Sequence, residues 1–99
     1  MTAASPADQQ LESDLYLERG IVRLQQGRLE AAAAAFKKVL DIDANHGAAH
    51  RYLAHVYLRQ GLYAKASEEA TRAEKLGFPL PDDQRKLLEQ GLRRGKLGR

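Results

Sequence analysis

The chain has 99 residues, no cysteine, 43% hydrophobic and 29% charged side chains, and a formal net charge of +3. That length holds one small domain, and the lack of cysteine excludes disulfides, thiolate metal sites and cysteine nucleophiles. The basic and acidic side chains of residues 1–81 cancel, so the surplus charge belongs to residues 82–99.

The opening "MTAASPADQQ" lacks the basic flank and apolar run of a secretory signal. No segment approaches the roughly 18 apolar residues of a membrane span. With no cysteine, a cytoplasmic location is expected. Ser5-Pro6 followed by Asp8 predicts a helix start: serine accepts from free amides, proline suits the first helical position, and the carboxylate favours the positive end of the helix dipole. Leu11, Leu15, Leu17, Ile21 and Leu24 recur mostly at spacings of three and four, and Gly27 ends the helix. "RLEAAAAAFKKVLDI" predicts a second helix, with Leu29, Ala32, Ala33, Phe36, Val39 and Leu40 on one broad face. After the break "DIDANHG", Asn45 or Asp43 is expected to cap a third helix, "AAHRYLAHVYLRQ", which stops at Gly61. "YAKASEEATRAEKL" is the fourth helix, ended by Gly77. "GFPLPDD" is a rigid loop, because its prolines block helix continuation. Asp82 or Asp83 is expected to cap a fifth helix, "DDQRKLLEQGLRRG". No strand pattern appears. Short loops make sequential helices antiparallel neighbours, so the fold class is all-α.

The helices repeat. "LQQGRLEAAA" and "LRQGLYAKAS" align Leu24 with Leu58, Gln26 with Gln60, Gly27 with Gly61 and Ala32 with Ala66, always 34 residues apart. One further step lands on Gly95. A helix pair with this period resembles the tetratricopeptide repeat. The matching positions are Tyr16, Gly20, Gly27, Ala32, Phe36 and Val39 in residues 13–46. In residues 47–80 they are His50, Ala54, Gly61, Ala66, Ala70 and Ala73, with Leu53 and Tyr57 beside them. His50 stands where a large aromatic is common, and Arg19 and Arg23 stand where apolar residues are usual.

The resemblance implies a short right-handed solenoid of five helices. Residues 1–12 extend the first helix, 13–46 and 47–80 are the two repeats, and 81–99 form a capping helix and basic tail. Gly20 and Ala54 are expected to face Ala32 and Ala66 across tight crossings, where Ala66→Leu would loosen the domain by overpacking. Leu87, Leu88 and Leu92 would cover the second repeat, while Arg85, Lys86, Glu89 and Arg93 face water.

Little in the chain suggests chemistry. His46 and His50 have a helical metal-ligand spacing, but solvated or packed histidines are the stronger reading, and no metal or cofactor is expected. No phosphate loop, nucleophile elbow or carboxylate pair is present, so the protein is not read as an enzyme. Four basic tail residues, Arg93, Arg94, Lys96 and Arg99, lack interleaved aromatics, so specific nucleic-acid binding is not expected.

Protein binding is the expected class. By resemblance, the first helix of each pair lines a concave peptide-binding groove. The candidate residues there are Leu17, Ile21 and Leu24 from the first repeat. The second repeat gives Ala48, Arg51, Tyr52, His55, Leu58 and Arg59, and the capping helix gives Lys86. Arg51, His55 and Arg59 form a basic ladder, so the partner would bring apolar anchors and an acidic group. With that ladder in solvent, Arg59→Glu is expected to leave Tm nearly unchanged. Leu17, Ile21 and Tyr52 replace the lysine and asparagines of the family's carboxylate clamp, so chaperone-tail recognition is not implied. The alternative is a homodimer in which Leu17, Ile21 and Leu24 meet their symmetry mates.

Overall fold

A computed structural model describes residues 5–97, with five helices and no strand among them. They are α1 (Pro6–Gln25), α2 (Leu29–Ile42), α3 (Gly47–Arg59), α4 (Tyr63–Lys75) and α5 (Asp82–Leu97). Helix α1 pairs with α2 and α3 with α4, while α2 and α3 join the two pairs. Helix α5 closes the array against α3 and α4, giving a body of 54 × 28 × 23 Å.

The turns explain the period. Gly27 and Gly61 both have φ of 75°, a left-handed conformation that a side chain disfavours. Behind Gly27, the Arg28 amide donates to Arg23 O at 2.9 Å, and behind Gly61 the Leu62 amide donates to Tyr57 O at the same distance. These bonds occupy carbonyls that the helix ends would otherwise leave open. Gly95 differs: α5 runs through it to Leu97, so the third glycine is no turn.

Ser5 caps α1 as expected, its hydroxyl accepting from the Asp8 amide at 3.2 Å. The cap of α3 is instead His46, whose Nδ1 accepts from the Ala49 amide at 3.1 Å. Asp43 serves the preceding turn, its carboxylate accepting from the Asn45 amide at 3.0 Å. Asp82 and Asp83 lie inside the first turn of α5 rather than before it, where their charge still complements the helix dipole.

Phe36, Val39, Leu53 and Val56 are fully buried, and Leu24, Tyr57, Leu58, Leu80 and Leu88 extend the core. Across the first crossing Gly20 meets the Phe36 ring: a methyl group at Gly20 would lie 2.5 Å from it. Phe36 in turn stacks on Tyr52, with centroids 5.3 Å apart. Of the three capping leucines only Leu88 is buried; Leu87 and Leu92 remain exposed. The cap helix instead seats Gly91 against the Tyr63 ring, too closely for any side chain.

Candidate binding surface

Helices α1, α3 and α5 lie side by side and form one face of the molecule. The expected apolar strip on α1 is largely consumed by the fold. Leu24 is only 6% exposed, and Leu17 and Ile21 are half-buried against the core. Leu58, its counterpart on α3, is 7% exposed. Leu24 and Leu58 are thus core residues rather than partner anchors: each is the penultimate residue of its helix and packs into the core.

The ladder on α3 is also divided. The Arg51 guanidinium lies 5.4 Å from the Tyr52 ring centroid and 5.8 Å from that of Phe78, so two aromatic rings hold it. Tyr52 is half-buried between Phe36 and Arg51. Arg59 is exposed, yet its Nη1 donates to Leu24 O at 3.1 Å. It thereby ties α3 to the carbonyl end of α1, so the expectation that Arg59 stands free in solvent is corrected.

His55 and Arg59 do come together with α5. They line a cleft of about 360 Å³ whose opposite wall carries Asp83, Gln84, Leu87 and Arg94. Lys86 is exposed but does not line this cleft. Arg94, read from sequence as tail, supplies the α5 charge instead. Its position was encoded by Gly91 three residues earlier, since a mid-helix glycine marks a close approach and here seats α5 on Tyr63. Arg99 and the side chain of Lys96 lie outside the described residues.

Burial lowers the pKa of His55 below its ordinary 6.5, helped by the nearby Arg59 charge and opposed by Asp83. The imidazole is therefore neutral in neutral solution, an uncharged donor and acceptor in the cleft. The Gln84 side-chain oxygen is buried in the same wall without a partner among the described residues.

The other histidines are accounted for by the fold. His46 caps α3. His50, 7% exposed, places Nε2 2.8 Å from Ala44 O and Nδ1 2.6 Å from the Glu69 carboxylate. Glu69 also accepts from Arg72 at 2.9 Å. The ring thus fills the place of a large aromatic while both nitrogens are bonded. Among the described residues no group of three metal-ligating side chains converges, and no helix is long and apolar enough to cross a membrane.

Neither a curated protein nor a solved structure matches the chain. A family model described as tetratricopeptide repeat matches residues 23–77, which runs from the end of α1 through the turn glycines to Gly77. With two helix pairs 34 residues apart in register, the chain belongs to the tetratricopeptide repeat family.

Proposed function

We propose that the protein is a non-catalytic interaction module whose partner segment enters the cleft between α3 and α5 and continues along the face toward Tyr52. Tetratricopeptide repeats generally mediate protein–protein interaction, and the cleft is what supports this particular placement. It joins Arg59 and Arg94 with a neutral, half-buried His55 and with Leu87, which is 54% exposed. That combination suits a segment carrying a carboxylate next to an apolar side chain. Asp83 at the cleft edge disfavours a second acidic group close to the first.

The test is fluorescence anisotropy with a labelled peptide library that varies acidic and apolar positions independently. Peptides with one acidic and one large apolar residue should bind wild type, and Arg94→Glu should weaken them about tenfold or more while circular dichroism stays unchanged. Equal binding to wild type and Arg94→Glu would remove the cleft from the binding surface. The homodimer through Leu17, Ile21 and Leu24 has less support, since Leu24 is buried and the other two are half-covered.

A further inference from the structure

Helix α1 is longer than the helix it packs on: 20 residues against 14 in α2. Its inward side is marked by the buried Ser13, Gly20 and Leu24. At 100° per residue, Leu11, Leu15 and Val22 fall on the opposite side. They are 63%, 54% and 45% exposed. Leu15 and Val22 also line a shallow cleft of about 410 Å³ along the helix. An apolar row at spacings of four and seven, bordered by Glu18 and Arg19 and facing away from the core, is a contact surface rather than scattered exposure.

The charges beside the stripe identify its occupant. On one flank Asp8 and Glu12 come first, then Arg19 and Arg23. Turned end for end, the same helix brings Arg19 and Arg23 against Glu12 and Asp8, and Val22 against Leu11. The flank is thus complementary to itself in antiparallel pairing, the property that a two-fold interface requires. The other flank, with Asp14 and Glu18, brings like charges together and limits the affinity.

We infer that the outer face of α1 is a self-association surface, on which a second copy of this chain docks its own α1 antiparallel through Leu11, Leu15 and Val22. This surface lies on the opposite side of α1 from the core and is separate from the cleft between α3 and α5. The proposed peptide site would therefore stay open in each copy of the dimer.

Light scattering from micromolar to millimolar protein tests this, with circular dichroism reporting the fold of every variant. Wild type should rise to twice the monomer mass, and Leu15→Glu should remain a folded monomer. Asp8→Lys with Glu12→Lys makes the first flank wholly basic, and Arg19→Glu with Arg23→Glu makes it wholly acidic. Each should be monomeric alone, and an equimolar mixture should restore the dimer mass. A wild type that stays monomeric throughout would overturn the inference. So would a dimer that survives Leu15→Glu, or charge variants that fail to pair when mixed while wild type dimerises. With no cysteine in the chain, a Leu11→Cys, Val22→Cys protein gives a further check. It should form an intermolecular disulfide at those positions on oxidation, and failure to cross-link while the dimer forms would overturn the antiparallel register.

Discussion

At equivalent positions 34 residues apart, the first repeat has Tyr16 and Ala35 where the second has His50 and Glu69. Likewise it has Gly20 and Phe36 where the second has Ala54 and Ala70. In the first repeat a large ring fills the space left by a missing side chain, and Phe36 is fully buried against Gly20. In the second, two small residues leave the crossing slim, and a buried histidine bonds across to the neighbouring helix through Glu69. One backbone geometry is thus held by an apolar interlock in one place and by hydrogen bonds in the other. The difference matters because the two fail differently: an interlock loses cohesion in proportion to the atoms removed, whereas a polar clamp fails when one partner is left unpaired.

The largest effect should come from breaking the interlock. Phe36→Ala removes the ring that fills Gly20 and stacks on Tyr52, and should cost about 3–5 kcal/mol. In so small a domain that is most of the stability, so chemical denaturation should show a chain largely unfolded at room temperature. Breaking the clamp should cost less. His50→Ala leaves Ala44 O and one Glu69 oxygen without their partner, for a loss of about 1–3 kcal/mol. Carrying the first repeat's pair into the second, as His50→Tyr with Glu69→Ala, should recover part of that loss. A double-mutant cycle by urea denaturation would measure the coupling, and independent, additive effects would mean the clamp contributes nothing as a pair.

Arg59 sharpens the comparison, because its bond to Leu24 O joins the two repeats. Arg59→Glu should lower stability by about 1 kcal/mol, since it removes the bond and places a negative charge at the carbonyl end of α1. Thermal melts of Arg59→Glu and Arg59→Ala would separate those contributions. The smallest effect belongs to His55. Its pKa is lowered in the fold, so between that value and 6.5 the unfolded chain binds a proton that the folded chain does not. Stability from this residue is therefore full above pH 6.5 and is lost as pH falls through the lowered value. From about pH 8 to about pH 5, wild type should lose more Tm than His55→Gln, and equal losses would mean that burial does not perturb this histidine.

Much of the fold was legible in the residues. The turn glycines, the alternation of helices and the Ser5-Pro6 start follow from local backbone chemistry, which a sequence displays directly. Two local cap expectations needed correction. The cap of α3 is His46, while Asp43 bonds the turn before it. Asp82 and Asp83 lie inside α5 rather than before it. Gly95 stands in register with two turn glycines yet stays helical. Gly20 meets the Phe36 ring, since helix crossing decides which rows interlock.

The binding surface was less legible. The sequence shows which residues share a helical face, and His55 and Arg59 line one cleft. It does not show how much of that face the neighbouring helix consumes. Leu24 and Leu58 have the same spacing as surface anchors but are buried, while Leu11 and Leu15 belong to the same apolar series as Leu24 and are left outside.

By itself, then, the sequence determined the repeat, the helix count and the family, because period, glycine conformation and capping are properties of short segments. The tertiary structure alone decided which apolar side of α1 faces the core and that Arg59 is tied to Leu24. It also decided that Arg94 rather than Lys86 completes the cleft with His55. Those outcomes depend on the angle and depth at which helices cross, quantities set jointly by side chains far apart in the chain.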